Sequence, residues 1–257
     1  MEIVYPPVIG AAKLMFRALG LKIEVDGAHH VPRTGGAVLA SNHISYLDFI
    51  FCGLGAQPSQ RLVRFMAKKE IFAHPVAGPL MRGMHHICVD RDAGTAAYRE
   101  AIAALKNGEV IGVFPEATVS VSFTIKELKS GAARMARFAK VPLIPMVVWG
   151  PQRLWTKARP KNLTQRNIPI RIKIGEPIEM GPRADPEEVT GRLHSRLEEM
   201  LSSVQQAYPD RPRGPEDSWW LPAHLGGTAP APRQPSAGPP AGPAAAGEAT
   251  TPGADLT

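Results

Sequence analysis

The chain has 257 residues and a formal charge of +7, with 44% apolar residues. A basic balance suits an anionic partner: nucleic acid, an acidic membrane or a phosphorylated substrate. Nucleic acid is set aside, because there is no zinc spacing, no RNA-binding aromatic motif and no basic run interleaved with aromatics.

The N-terminal stretch reads as an amphipathic helix over residues 1–21. Ile9, Leu14, Met15, Phe16 and Leu19 lie among Lys13 and Arg17, the pattern of a helix in a membrane interface or of one packed on the domain. Its cations interrupt any signal-peptide core, and no stretch reaches the roughly 18 apolar residues of a spanning helix. Residues 22–221 read as one domain. From Pro222 to residue 257 the chain is mainly Pro, Ala, Gly and Thr, which buries too little to offset ordering entropy and is expected to be disordered.

Leu21 to Val25 alternates as a strand. Ala37 to Ala40 is a short buried strand, and it leads into Ser41-Asn42-His43-Ile44-Ser45-Tyr46-Leu47-Asp48. The apolar run from Phe49 to Leu54 begins a helix. His43 and Asp48 cannot share a helix face at a spacing of five, since five steps of about 100° separate them. They meet only if His43 precedes the helix and Asp48 lies in its first turn. Ser45 as N-cap and Asp48 at N3 make a capping box, and a side chain there leans back toward the helix N-terminus. The pair then reads as a general base whose carboxylate fixes its tautomer. From this stretch alone, a capped helix with an ordinary loop histidine reads the same way.

Leu62 to Met66 is a further strand. Lys68 to Phe72 opens a segment broken by Pro75 and Pro79, whose Phe72, Leu80 and Met81 read as exposed and suited to a lipid-facing surface, a loop packed on the core being the commoner case. Ile87-Cys88-Val89 is a buried strand ending at Asp90-Arg91-Asp92, where Arg91 is either a phosphate ligand or a surface ion pair. Thr95 to Lys106 is a helix with Ala97, Ala101, Ala104 and Leu105 on one face. Val110 to Phe114 is a strand running into Pro115-Glu116-Ala117-Thr118. The helix over Lys129 to Lys140 starts beside Lys126 and Lys129, an arrangement able to hold an anion or to form a solvated basic face.

Val141 to Trp149 is a strand whose Pro142 and Pro145 argue for an edge or for a bulge at its start. Ile168, Ile170, Ile172 and Ile174 alternate with polar residues as a half-wet strand. Asp185-Pro186-Glu187-Glu188 starts a helix that runs to about Ala207. Cys52 and Cys88 sit in apolar runs as reduced thiols. The pairs His29-His30 and His85-His86 lack ligand-spaced neighbours, so no metal is expected. Strands alternate with helices, which makes the class α/β: a single domain with a mixed, mostly parallel sheet covered by helices. The polar clusters at His43, Arg91 and Glu116 each follow a buried strand and converge on one sheet edge if those strands are parallel and adjacent.

Four blocks, in order, resemble the glycerolipid acyltransferases typified by 1-acyl-glycerol-3-phosphate acyltransferase. They are Asn42-His43 through Asp48, Gly83 through Arg91, Phe114-Pro115-Glu116-Ala117-Thr118, and Val141 through Pro145. The resemblance implies an acyltransferase fold. It implies direct transfer from acyl-CoA or acyl-carrier protein to a lysophospholipid hydroxyl, with no cofactor beyond that co-substrate. His43 would be the base and Asp48 its orienting group. Asn42, Arg91, Glu116, Ala117 and Thr118 would line the substrate site, Arg91 holding the acceptor phosphate. It implies work at an anionic membrane surface, peripherally, on the cytoplasmic face.

Two positions depart from the family. Ala117 replaces the usual glycine and restricts the loop if positive φ is needed there. Val119 stands where many members carry a cation, a role left to Lys126 or Lys129. The acceptor read first is 1-acyl-glycerol-3-phosphate, giving phosphatidate. Three other readings stay open: a different lysolipid or glycolipid acceptor, a thioesterase using the same histidine on water, and a non-catalytic lipid-binding protein.

Overall fold

The computed structural model describes residues 2–90, 95–181 and 183–232. In chain order the elements are α1 (Tyr5–Ala18), β1 (Lys22–Asp26), β2 (Ala37–Ser41), α2 (Asp48–Ala56), β3 (Val63–Lys68), α3 (Lys69–Ala73), α4 (Ala77–Gly83) and β4 (Ile87–Val89). Next come α5 (Ala96–Lys106), β5 (Val110–Val113), α6 (Gly131–Ala139), β6 (Leu143–Trp149), β7 (Pro169–Ile174) and α7 (Pro186–Gln206).

The strands form one seven-stranded sheet in the order β1-β7-β6-β2-β5-β3-β4. Every neighbouring pair is parallel except β6 and β7. The short apolar runs follow from burial on both faces. Along β2, Val38 and Ala40 point into a core beneath α5, α6 and α7, while Ala37 and Leu39 point into a second core beneath α1 and α2. The α/β class with a mostly parallel sheet is as the alternation of elements implied.

Several expectations change on folding. The proline-bearing strand β6 is interior, between β2 and β7. Its prolines are tolerated because they serve as acceptors at the start of the strand. Pro142 O takes the Val38 amide at 3.0 Å, and Pro145 O takes the Gly175 amide at 2.9 Å, before the antiparallel ladder begins at Met146. The strands leading to His43 and Glu116 are neighbours, but β3 lies between β5 and β4. Arg91 lies outside the described residues.

Phe72 and Met81 are buried, unlike Leu80. Helices α3 and α4 fold back on α1 and enclose them with Tyr5 and Met84. Helix α1 combines its two readings. Phe16 stacks on Phe51 at 4.9 Å and the Tyr5 hydroxyl donates to Val63 O at 2.7 Å, while Leu14 remains 70% exposed.

The expected boundary at Pro222 is too early. Residues 223–225 form a 3₁₀ turn, Ala229 is buried, and the Thr228 amide donates to Ser218 O at 3.1 Å. Trp220, almost fully buried against Tyr208, gives this segment an apolar seat that its own composition does not announce.

Candidate active site

The chain leaves β2 at Ser41 and turns. Asn42, expected to touch substrate, is instead fully buried: its side chain donates to Val148 O at 3.0 Å and accepts from Val148 N at 2.8 Å. A primary amide is donor and acceptor at once. It therefore replaces the sheet pairing that ends with β2 and pins the next residue beside β6.

His43 follows, its imidazole Nδ1 3.0 Å from Asp48 Oδ2. The same oxygen accepts the amides of Ile44 at 2.7 Å and Ser45 at 2.8 Å, and Ser45 Oγ accepts the Leu47 amide at 3.1 Å. Only half of the expected capping box forms. The Ser45 amide reaches Asp48, but the Asp48 amide bonds the Ser45 carbonyl at 3.3 Å rather than its hydroxyl, and regular helix begins at Asp48 with Leu47, not Ser45, at the N-cap. Backbone amides can only donate, so Oδ2 is an acceptor and the imidazole places its proton on Nδ1. Nε2 then carries a lone pair, and its side chain is 19% exposed while Asp48 is sealed off. Burial pushes the Asp48 carboxyl above its ordinary value, opposed by the His43 contact and by the Ser45 and Ile44 amides.

The backbone of His43 is clamped from β5. Its amide donates to Glu116 Oε1 at 2.9 Å, and its carbonyl accepts the Ser120 amide at 2.6 Å. Its ring stacks on Phe114 at 4.2 Å between centroids, and Phe114 stacks in turn on Phe65. Glu116 is buried, which pushes its carboxyl up to about 7. Its Oε2 has no partner among the described residues.

Ala117 sits at φ 61°, the left-handed conformation that glycine adopts without strain. Ala117 and Thr118 are exposed at the mouth of this loop. The Lys126 amine donates to Thr118 Oγ1 and the Lys129 amide donates to Pro115 O at 2.9 Å. The Lys129 side chain is exposed. Val119 is buried and points no charge toward the site.

A third strap comes from the segment after β6. Ser45 Oγ donates to Trp155 O at 2.6 Å, the Tyr46 amide to the same carbonyl at 3.2 Å, and Thr156 Oγ1 to Ile44 O at 2.7 Å. The C-terminal segment holds this strap in turn: Gln152 donates to Trp220 O at 3.4 Å, and Arg153 pairs with Asp210 and lies over the Trp220 ring. Sequence reasoning assigned no role to Phe114, Ser120, Trp155 or Thr156. Phe114 sits in a motif block, whereas the others carry no local signal, since their partners are 77 to 112 residues away by the numbering.

The hydroxyls and thiols near the ring are not nucleophiles in waiting. Ser45 Oγ is committed to backbone, Ser41 Oγ bonds Asn42, and burial pushes the Cys52 thiol far above its ordinary value. An open imidazole nitrogen with a buried carboxyl behind it, at the carboxyl edge of the parallel strands and, among the described residues, with no free serine or cysteine beside it, is an arrangement able to serve group transfer by general-base catalysis.

Comparison with known proteins identifies which group. The Acyltransferase family model matches residues 22–149. A 1-acyl-sn-glycerol-3-phosphate acyltransferase of Bacillus subtilis (strain 168) is 30% identical over 191 residues, which is 72% of this chain and 90% of that one. One from Limnanthes alba is 31% identical over 179 residues, 68% of this chain but only 60% of the relative's length. The crystal structure of a 1-acyl-sn-glycerophosphate acyltransferase from Thermotoga maritima superposes with a TM-score of 0.66 at 25% identity, covering 80% of this chain and 81% of that one. The chain belongs to the acyltransferase family and is an acyltransferase similar to the 1-acylglycerol-3-phosphate enzymes. Among the described residues no helix is long and apolar enough to cross a membrane.

Proposed function

We propose that the chain transfers a fatty acyl group from acyl-CoA or acyl-carrier protein to the free hydroxyl of 1-acyl-glycerol-3-phosphate, giving phosphatidate. The observation that carries the reading is the His43 ring: Nδ1 held by a buried Asp48, Nε2 left open. In this mechanism Nε2 takes the hydroxyl proton as the acceptor oxygen attacks the thioester carbonyl. The imidazolium is stabilised by Asp48 across the Nδ1 hydrogen bond. As the tetrahedral intermediate collapses, the C–S bond breaks and the proton passes from Nε2 to the departing thiolate. No acyl-enzyme forms. Phe114 keeps water from one face of the ring, and the Glu116 and Ser120 contacts fix the backbone from which it hangs.

The exposed Ala117 and Thr118, with Lys126 and Lys129 nearby, are assigned to the acceptor side. Arg91, the residue after Asp90 at the end of β4, is assigned to its phosphate on the strength of the family motif. The enzyme is taken to act peripherally at the cytoplasmic face of a membrane, with the exposed Leu14 and Met15 of α1 toward lipid.

Labelled acyl-CoA and lysophosphatidate, with the product resolved by mass spectrometry, test the proposal. General-base catalysis is typically worth about 10²–10⁴-fold. His43→Ala should lose at least that factor while keeping its thermal melt. Undiminished transfer in that variant removes His43 from the mechanism.

A further inference from the structure

The turn that carries His43 is held from behind, and what holds it lies C-terminal to every motif block. Strand β6 ends at Trp149 and the chain reverses at once. Gly150 takes φ 111°, and a Cβ there would collide with Pro169 O. Only glycine lets the backbone turn this close to the start of β7. Pro151–Arg153 then form a 3₁₀ turn. Two carbonyls around it face the catalytic turn: Ser45 Oγ lies 3.2 Å from Pro151 O and 2.6 Å from Trp155 O. Ser45 is also the residue whose amide reaches Asp48 and whose hydroxyl receives the Leu47 amide.

The side chains of the 3₁₀ turn are held by the segment after α7. Gln152 is fully buried, accepts the Gly150 amide at 2.8 Å and donates to Trp220 O at 3.4 Å. Arg153, 8% exposed, is gripped by three groups. It forms an ion pair with Asp210, its Nη1 donates to the Tyr208 hydroxyl at 3.5 Å, and its guanidinium carbon lies 4.6 Å from the centre of the Trp220 ring. The Tyr208 hydroxyl donates in turn to Pro169 O at 2.7 Å. The exit of β6, the entry of β7 and the segment after α7 therefore meet around one guanidinium.

Burying a charge this way is a poor route to stability. Desolvation offsets the attraction, so apolar side chains of similar volume often do as well. Arg153 Nε, moreover, has no partner among the described residues. What a guanidinium supplies is direction: a planar fork of fixed donors and a flat face that stacks. Both are used here, the fork on Asp210 and Tyr208 and the face on Trp220.

We propose that Arg153 is a positioning residue for His43. Clasped by Asp210, Tyr208 and Trp220, it sets the 3₁₀ turn to which Ser45 is bonded, and through Ser45 the place of Asp48 and of the imidazole. The segment after α7 thus bears on catalysis through this side chain. The inference rests on the His43 reaction proposed above only for the kinetic arm of its test.

The test compares full-length wild type with Arg153→Met, which keeps the length of the side chain and removes its charge and fork. Amide hydrogen exchange read by mass spectrometry needs no substrate. Peptides over residues 43–47 should exchange about ten-fold faster in the variant, while those from β2 and β5 keep wild-type rates. For acyl transfer kcat should fall about ten-fold, with KM for donor and acceptor changed less than about two-fold, because a displaced base is felt in the chemical step. Arg153→Lys, which can still reach Asp210 and lie over Trp220, should recover part of both losses. Arg153→Met/Thr156→Val should lose no more kcat than the worse of its single variants, since both act through one strap.

If Arg153→Met does not fold, Asp210→Asn serves in its place, because that partner is 38% exposed and its loss disturbs the core less. Unchanged exchange over residues 43–47 overturns the proposal, as does exchange raised equally along the sheet, the mark of lost stability alone. Faster local exchange with unaltered kcat also overturns it, and so do kcat losses that multiply in the double variant. Faster local exchange in a protein whose wild type acylates no lysophosphatidate sinks the proposed reaction and leaves the support of the turn by Arg153 standing.

Discussion

The two carboxylates that hold His43 are built in opposite ways. Asp48 reaches it within one turn of chain: a single oxygen collects the imidazole and two amides from residues 43, 44 and 45. Glu116 reaches it across the sheet, from the end of β5 to the end of β2, with one oxygen on the His43 amide and the other unpartnered among the described residues. Its loop also carries Ala117 in a left-handed conformation. The first arrangement needs only a tight turn leading into a helix. The second exists only when β2 and β5 are already paired. A local device collects donors cheaply, because few residues must be ordered to bring them together. Both carboxyls are nonetheless desolvated and raised by burial, each with one oxygen that has no hydrogen-bond partner among the described residues, and the Glu116 proton is held up to about 7.

That contrast can be broken most sharply at Asp48. Asp48→Asn keeps the size of the side chain and can keep an oxygen on all three donors, but it removes the charge that stabilises the imidazolium and buries an amide nitrogen where Oδ1 has no partner among the described residues. Transfer should fall about 10³–10⁴-fold in kcat, the scale seen when a histidine-orienting carboxylate becomes an amide. Steady-state kinetics beside a circular-dichroism melt would show whether the loss is chemical or structural.

Glu116→Gln probes the other carboxylate through pH. The folded pKa, about 7, lies above the ordinary 4.5, so between those values the folded state holds a proton that the unfolded state has released. Wild-type stability must therefore decline as pH rises from about 4.5 to about 7, at up to about 1.4 kcal/mol per pH unit. The glutamine variant can still accept the His43 amide but should lack that slope. Denaturant melts at several pH values decide it, and parallel slopes for the two proteins would mean that Glu116 ionises normally.

Thr156→Val removes the hydroxyl on Ile44 O and leaves that carbonyl buried. A lost partner of this kind costs about 1–3 kcal/mol. If the strap positions the catalytic turn, kcat should drop by about ten-fold with little change in KM, because small misplacements of a catalytic group are felt in the chemical step. Thr156→Ser should restore it. A stability loss with unaltered kcat would make the strap a packing element only.

Ala117→Gly should have the smallest effect. Relief of a left-handed alanine is worth about 1 kcal/mol. The variant should melt slightly later, with substrate preference as the readout of any change in the loop.

Much of the first half of the site was legible in the residues. His43 and Asp48, five apart and astride a helix start, can meet only in the way they do, and the buried run before them had to be a strand. The family blocks named Glu116 and Thr118 and drew attention to Ala117, whose positive φ is the reason glycine is usual there. What misled was local chemistry read without neighbours. Asn42 is assigned to substrate by its place in the family's first block, yet its amide completes the sheet against Val148. Pro142 and Pro145 suggest an edge, but their carbonyls suffice at the start of an interior strand. Pro222 looks like the start of a tail, but the buried Trp220 anchors the turn just beyond it.

By itself the sequence determined the α/β alternation and the meeting of His43 with Asp48, because each arises from periodicity or spacing within one helical turn or one strand. Tertiary structure alone decided that Glu116 and Ser120 clamp the histidine backbone, and that Thr156 and Trp155 strap the turn. Those contacts join residues far apart in the chain. Their partners are set by which strands pair and on which side the connecting segments return, and neither leaves a periodic mark in the residues themselves.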